Sequence, residues 1–444
     1  MTDAQLGLES APLRKQNTVG NINMTKKIKV LTISDMPLMP SGVATQTKYM
    51  IEALLQSGKY EVVSIGGAIK HIDYTPKTVE GYGQDWRILP VDGYGPPDYL
   101  RQVIQHEKPD LLWFMTDPRF YGWLWNMEDE IRKSVPMVYY HVWDNFPAPK
   151  FNGTFYDSTD SVVTISKLTS ECVRVAAPNV EEIYQPHAVD PTIFKKLTNE
   201  EDTLQLSNMR KKMGLEGKTV FMWNNRNAKR KQSGSLVFWF KDFLDKVGHD
   251  QAVLIMHTDV NDQHGQPLEY LAAVELGLKN GEIRFSKEKV QAKDLALMYN
   301  LADCTLNIAD AEGFGLSSLE SLSCGTPVIN TMTGGLQEQV FDGEQYFGVG
   351  IEPASKAIIG TQQVPYIYED RVSGGDVVAA LETIHNMSKE ERDALGPAAQ
   401  AHVNENYNFN KYKAFWVSYL EDLHNRLGSW DTRKGYNSWE VKEL

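Results

Sequence analysis

Two glutamates, Glu312 and Glu320, lie eight positions apart on either side of a glycine-containing turn. A strand-like run at residues 304–309 precedes them, and apolar residues at helical spacing predict a helix that begins near Leu316. The positive N-terminal end of such a helix attracts a diphosphate, which glycines allow to approach the backbone N–H groups. Carboxylates beside that point accept hydrogen bonds from sugar and ribose hydroxyls. The alternative is an ordinary strand–turn–helix whose glutamates are merely solvated.

A basic turn containing Arg226 and Lys231 follows the strand-like run at residues 218–224. Cations at the C-terminal edge of a parallel strand can neutralise a diphosphate. They would then offset the charge of a leaving group without a metal ion. A charged, solvated loop explains the same residues. The basic turn therefore indicates a diphosphate site only in combination with the two glutamates.

The first half of the chain offers two further candidates. Ser41 and Gly42 form a turn after the strand-like run at residues 27–34, and His141 ends another strand, which puts it at the edge of a cleft. A strand–helix turn and a structural histidine are the simpler explanations of these residues taken alone.

Short apolar runs alternate with helical patterns along the chain, which predicts an α/β protein with parallel sheets. The alternation restarts near residue 218, after a polar connection at residues 198–213. Two such series predict two Rossmann-like domains that face a cleft, the place where such folds bind ligands. A last helical pattern at residues 411–427 carries aromatic residues on one face.

The overall composition restricts the classes of protein to which this chain can belong. A chain of 444 residues with 42% hydrophobic and 23% charged residues is typical of a globular protein of two or more domains. No apolar run reaches the roughly 18 residues that a membrane span needs, and the N-terminus lacks a signal core. Three widely spaced cysteines predict buried thiols in a reducing cytoplasm. The net charge of −13 argues against general attraction to nucleic acid or anionic lipid.

The string DAEGFGLSSLESLSCGTPVINTMTGGLQEQVFDG, residues 310–343, resembles the donor-binding region of retaining glycosyltransferase family 4 (glycosyl transferases group 1). The resemblance covers roughly residues 27–425. It implies the GT-B fold, in which a C-terminal helix crosses back to the first domain. It also implies metal-independent transfer of a sugar, with retention of configuration, from a nucleotide-diphosphate sugar to an acceptor hydroxyl. A UDP-sugar is the favoured donor, a GDP- or ADP-sugar the alternative, and no cofactor is expected.

The resemblance also assigns residues to roles. It implies that His141 and Glu312 contact the donor sugar as catalytic residues and that Glu320 contacts the ribose. Asp144 lies two positions later than the family's aspartate, so the resemblance leaves its role open. The remaining donor-binding residues implied are Gly42, Arg226, Lys231, Gly313, Phe314, Gly315 and Leu316.

Together these expectations divide the chain into five segments. They are a disordered tail (1–25), an N-terminal acceptor domain (26–200), a C-terminal nucleotide-sugar donor domain (201–405), a helix returning to the first domain (406–428) and a tail (429–444).

The acceptor is the open part of the sequence-based hypothesis. Residues 113–156 are dense in aromatics, which fill a core or stack on a sugar or an unpaired base. A glycan, a lipid-linked sugar or a small molecule is the leading acceptor class, and a hydroxymethylated base in phage DNA is a variant weakened by the few cations in this region. A sugar-nucleotide epimerase and a catalytically silent binding protein are the alternative functions.

Overall fold

The structure, a computed structural model, describes residues 26–440; the tail predicted at 1–25 lies outside the described residues. Its first half is built around one eight-stranded sheet. The strands are β1 (Ile28–Asp35), β2 (Tyr60–Gly67), β3 (Lys77–Val79), β4 (Gly83–Pro90), β5 (Leu111–Thr116), β6 (Met137–His141), β7 (Ser161–Thr164) and β8 (Glu182–Tyr184). Their order is β3-β4-β2-β1-β5-β6-β7-β8, and every neighbouring pair is parallel except β3–β4.

The central strands of the first sheet are buried on both faces, which explains the unbroken apolar runs that predicted them. All six residues of β5 and all five of β6 are buried. Helices connect the strands and cover the sheet. They are α1 (Gly42–Gln56), α2 (Pro97–Glu107), α3 (Gly122–Trp125), α4 (Glu128–Arg132), α5 (Gly153–Asp157) and α6 (Lys167–Ala176).

The second half repeats the plan with six parallel strands in the order β11-β10-β9-β12-β13-β14. These are β9 (Thr219–Asn224), β10 (Ala252–His257), β11 (Ile283–Ser286), β12 (Cys304–Asn307), β13 (Val328–Thr331) and β14 (Gly348–Ile351). Its helices are α7 (Glu200–Lys212), α8 (Ser233–Val247), α9 (Leu268–Tyr270), α10 (Ala292–Leu301), α11 (Leu316–Ser323), α12 (Gly334–Val340), α13 (Gly374–Asn386) and α14 (Lys389–Asn406). The predicted α/β class with parallel sheets is confirmed.

The last long helix, α15 (Phe409–Leu427), lies against the first domain, as predicted. The hydroxyl of Tyr412 donates to the carbonyl of Gln46 in α1, at 3.0 Å. The hydroxyl of Tyr60 donates in turn to the carbonyl of Val417, at 2.6 Å. The aromatic face of α15 is therefore the surface that joins the end of the chain to the first sheet.

The segment predicted as a tail after Gly428 is attached to the first domain over residues 429–439. The N–H of Trp430 donates to the carbonyl of Ser134 at 2.7 Å, and the side chain of Arg433 pairs with Asp160 at 2.7 Å. The segment is polar, so it carries little hydrophobic periodicity, yet its side chains find partners on the first domain.

One element belongs to neither large sheet. The strands β15 (Ser355–Ile359) and β16 (Ile367–Arg371) form an antiparallel pair between β14 and α13. We call residues 355–371 the hairpin. No strand was predicted in this segment.

Cys172, Cys304 and Cys324 are buried free thiols, as the sequence predicts. Across residues 26–440, every helix is too short or too polar to span a bilayer.

Candidate active site

A cleft of about 870 Å³ lies at the carboxyl ends of both sheets and is lined by loops from both domains. The loops after β1, β5 and β6 line it from the first domain, and those after β9, β11 and β12 line it from the second. Ligands of open parallel sheets bind at such edges. The site residues predicted from the sequence that line the cleft are Gly42, Arg226, Lys231, Glu312, Gly313, Phe314, Gly315, Leu316 and Glu320.

The turn before α11 takes its shape from glycine. Gly315 precedes the helix with φ +93°, and a Cβ there would lie 2.4 Å from Cδ2 of Leu336. A side chain at this position would be strained and would also collide. The helix begins at Leu316 as predicted, and its first N–H groups have no partner within the helix. The turn therefore presents a helix N-terminus to the cleft, where an anion is stabilised.

Glu320 is held on the cleft side of α11 by a chain of hydrogen bonds. The hydroxyl of Tyr299 donates to its carboxylate at 2.7 Å and accepts from the side-chain amide of Asn224 at 2.7 Å. Burial raises the pKa of Glu320 to about 7. Neither Tyr299 nor Asn224 was predicted as a site residue, because they come from α10 and β9 and meet Glu320 only in the fold.

Glu312 forms an ion pair with Lys231, whose side chain is almost fully buried. Burial lowers the pKa of Lys231, and neighbouring Arg230 adds to this effect. Arg230 itself donates to the carbonyl of Ala311 at 2.5 Å. The basic turn and the glycine turn are thus bound to each other, so the cations and the first glutamate form one unit.

Arg226 lies at the cleft but already has a partner. Its Nε is 2.5 Å from a carboxylate oxygen of Asp262, and Nη2 is 2.8 Å from Nδ1 of His264. The hydrogen bond that Arg226 donates to the Asp262 carboxylate raises the pKa of Arg226, which keeps the guanidinium charged. Within residues 26–440, no three His, Cys, Asp or Glu side chains converge as a metal-binding group.

The first domain meets the glycine turn closely. A Cβ on Gly42 would lie 2.9 Å from Cδ1 of Leu316, so α1 and α11 approach each other end to end. Asp144 accepts a hydrogen bond from the N–H of Gly313 at 3.1 Å and lies 3.8 Å from Arg230. Asp144, whose role the resemblance left open, is therefore the first-domain carboxylate in contact with this turn.

The prediction that His141 lies at the cleft edge is wrong. The ring is fully buried, and its Nε2 is 2.7 Å from the hydroxyl of Tyr156. Burial lowers the pKa of His141 to about 3, so the ring is neutral. Trp143, two residues further along the chain, stacks near it and lines the cleft instead.

The aromatic-rich region at residues 113–156 is mostly core. Trp113 and Phe114 on β5 are fully buried, as is Tyr139 on β6. Trp143 is the member of this region whose ring lies between the core and the cleft, because it lines the cleft while being 4% exposed.

Known proteins resemble this chain at two levels. The family model described as Glycosyl transferases group 1 matches residues 208–359, which ends in the hairpin. A D-inositol 3-phosphate glycosyltransferase from an Arthrobacter species is 35% identical over 88 residues, 20% of this chain and 20% of that protein. The Frankia alni protein of the same name is 33% identical over 137 residues, 29% of this chain and 33% of that protein. The chain thus matches a third or less of the length of these curated relatives.

Solved structures match almost the whole chain at low identity. Sucrose-phosphate synthase from Thermosynechococcus elongatus superposes with a TM-score of 0.69 at 15% identity, covering 90% of this chain and 100% of that one. HepE from Anabaena, solved in complex with UDP-glucose, gives a TM-score of 0.65 at 16% identity, covering 89% and 100%. At these identities the likeness shows the fold.

Proposed function

We propose that the protein is a sugar-nucleotide-dependent glycosyltransferase, because residues 208–359 match the family model described as Glycosyl transferases group 1 and the chain has the GT-B fold. It transfers a sugar from a nucleotide diphosphate to an acceptor hydroxyl, with retention of configuration and without a bound metal. A cytoplasmic location is part of the proposal, supported by the three buried free thiols.

The glycine turn at the start of α11 carries the proposal. Gly313 and Gly315 lie between Glu312 and Glu320 in the cleft, opposite Gly42 of the first domain. This arrangement combines a helix N-terminus for a diphosphate with carboxylates for hydroxyl groups. We assign the donor sugar to Glu312 and the ribose to Glu320.

The cations account for stabilisation of the leaving group. Lys231, beside Glu312, and Arg226, ion-paired with Asp262, bring two basic side chains to the proposed diphosphate site, where the anionic diphosphate favours the charged form of Lys231 although burial lowers its pKa. As the bond between the anomeric carbon and the diphosphate oxygen breaks, these charges stabilise the negative charge that develops. Both side chains are anchored before the donor arrives, so little reorganisation is needed during transfer.

We propose front-face transfer as the route to retention. The acceptor oxygen bonds to the anomeric carbon on the face from which the diphosphate leaves, and the acceptor proton passes to a diphosphate oxygen. The role of the turn and the cations is to hold that diphosphate in place while it accepts the proton. A covalent glycosyl-enzyme trapped on a carboxylate would contradict this route.

We propose a UDP-sugar as the donor and a small hydroxylated molecule as the acceptor. The donor is supported by the UDP-glucose complex of HepE. The acceptor class is supported by the relatives that are named for D-inositol 3-phosphate. His141 has no part in the proposed chemistry, because its ring does not reach the cleft.

A binding and transfer experiment tests the function. UDP-glucose, GDP-glucose and ADP-glucose are compared by thermal shift, because the correct donor stabilises the fold by mass action. Glu312→Ala should abolish most transfer while UDP still binds, whereas Glu320→Ala and Arg226→Ala should weaken UDP binding itself. Full activity in all three variants, or an inverted product by proton NMR, would contradict the proposal.

A further inference from the structure

The hairpin is attached to the first domain although it belongs to the second half of the chain. The N–H of Tyr368 donates to the carbonyl of Phe146 at 2.7 Å. The rings of Tyr366 and Phe151 meet edge to face, with their centroids 4.9 Å apart. Such contacts across the domain boundary hold the hairpin over one side of the cleft.

A buried polar link fixes the base of the hairpin. The side-chain amide of Asn145 and the hydroxyl of Thr333 both donate to the carboxylate of Asp370, each at 2.7 Å. The N–H of Asp370 donates to the carbonyl of Asp310 at 2.7 Å, two residues before Glu312. Because unpartnered buried polar groups are costly, this link resists displacement of the hairpin.

These attachments place the hairpin near the reacting end of the proposed donor site. Its base is tied to the strand end that leads into Glu312, the proposed contact of the donor sugar. Glu320 and Tyr299, which mark the ribose end, are joined to α10 and β9 instead. The hairpin is therefore positioned to contact the acceptor that approaches the donor sugar. It is not positioned to contact the nucleotide.

The inward side of the hairpin is mostly apolar, with Thr361 as its polar member. Ile359, Val364 and Ile367 line the cleft, and the last two also pack against the group around Trp143. Ile358, the neighbour of Ile359 on the same strand, does not line the cleft and is 61% exposed, against 39% for Ile359. Successive strand residues point to opposite faces, so one isoleucine of the pair faces the cleft and the other faces solvent.

We infer that the hairpin is a wall of the acceptor subsite, with Ile359 as a residue that determines acceptor specificity. This inference rests on the proposed function and deepens it. A mostly apolar wall packs against the C–H face of a ring and offers only the hydroxyl of Thr361, among its side chains, to a chain of further sugar units. The subsite therefore selects a compact sugar or cyclitol over an oligosaccharide.

Two matched tryptophan variants test the wall. Ile359→Trp enlarges the side chain in the cleft, and Ile358→Trp makes the same change on the opposite face. UDP affinity is measured by calorimetry, and transfer from UDP-glucose is measured with glucose 6-phosphate, inositol 1-phosphate and maltotriose. Ile359→Trp should raise the acceptor KM about tenfold through steric crowding, while UDP affinity stays as in the wild type. Ile358→Trp should leave both unchanged.

The outcomes separate this inference from the function on which it rests. Equal acceptor kinetics in both variants, or a loss of UDP affinity in Ile359→Trp, would contradict the proposal that the hairpin forms a wall of the acceptor subsite. Preference of the wild type for maltotriose over the two phosphorylated rings would overturn the selection of compact acceptors. A crystal structure with UDP-glucose decides the placement independently of any acceptor, since contact of Ile359 with uracil contradicts it. A wild type that neither binds nor hydrolyses any nucleotide sugar would refute the proposed function itself.

Discussion

Asp144 of the first domain accepts a hydrogen bond, 3.1 Å long, from the N–H of Gly313 in the second domain. A Cβ on Gly313 would lie 2.9 Å from the carbonyl oxygen of Trp143, so only glycine admits this approach without displacement. The glycine turn is therefore shaped for the opposing domain as well as for a phosphate. If the cleft closes around a donor, the contact between Asp144 and Gly313 is one that joins the two domains in the closed form.

Replacing Asp144 should affect turnover more than donor binding. Asp144→Ala removes the acceptor of the Gly313 N–H and the carboxylate near Arg230, and a misplaced turn of this kind costs about 100-fold in kcat. Asp144→Asn keeps an acceptor oxygen and should lose less. Asp157→Ala removes an exposed aspartate from the same domain and should behave as the wild type. Steady-state kinetics with UDP-glucose checks this, and equal rates for all three variants would contradict it.

Gly334 should be needed to keep Glu312 in place. A Cβ at Gly334 would lie 1.8 Å from the carbonyl oxygen of Glu312, and the φ of Gly334 is +49°. Gly334→Ala must therefore push the turn that carries Glu312, so we expect transfer to fall about 100-fold. Gly375→Ala is the control, because a Cβ there meets only the hydroxyl of Ser373 at 3.8 Å. An active Gly334→Ala enzyme would show that the turn tolerates displacement.

Sequence patterns within short segments predicted the donor half of the site. The positions of the other site residues depend on contacts between residues that are distant in sequence. The start of α11 at Leu316 follows from a strand, a glycine turn and apolar spacing, all within residues 304–322. His141 was misplaced because its burial depends on Tyr156 in another element. The pairing of Arg226 with Asp262 likewise joins two loops that only the sheet brings together.

The hairpin and the end of the chain show the same limit of sequence reasoning. Hairpin residue Tyr368 bonds to Phe146, and Trp430 bonds to Ser134, each across more than 200 positions. Both segments are rich in polar residues, so hydrophobic periodicity carries no signal for them. Their partners follow from the order of the strands, which the sequence alone did not define.

The buried carboxyl of Glu320 should make stability depend on pH. Burial raises its pKa from 4.5 to about 7, so the folded protein keeps a proton that the unfolded chain has already lost. The free energy of unfolding therefore falls as pH rises from about 4.5 to about 7, by on the order of 3 kcal/mol for this group. Glu320→Gln removes that loss, so its melting temperature relative to the wild type should be higher at pH 8 than at pH 5.

Other buried carboxyls titrate in the same range, among them Glu338 with a pKa raised to about 7. The difference between Glu320→Gln and the wild type cancels their contribution, and Glu216→Gln serves as an exposed control. Calorimetric melting at several pH values makes the measurement. A difference that does not change with pH would mean that Glu320 is ionised throughout.

The same titration should appear in donor binding. The ionised carboxylate of Glu320 accepts hydrogen bonds from ribose hydroxyls better than the acid does, so UDP-glucose should bind more tightly above pH 7 than below it. UDP-glucose is the appropriate probe, because its diphosphate diester lacks the terminal phosphate proton that UDP loses near pH 6. Calorimetric titration of Glu320→Gln should give a Kd without this step, and a step that persists in the variant would assign it to another group.

The segment after Gly428 should contribute to stability. The side chain of Arg433 is 4% exposed and pairs with Asp160, which also pairs with Arg132 at 3.1 Å. Asp160 keeps its pair with Arg132 in Arg433→Ala, so the variant should lower the free energy of unfolding by about 2 kcal/mol, the contribution of a charge-assisted hydrogen bond. Lys434→Ala is the control, since that side chain is exposed and its backbone bond to Leu427 survives. Urea unfolding that gives the two variants equal stability would mean that residues 429–439 are the unattached tail that their sequence suggests.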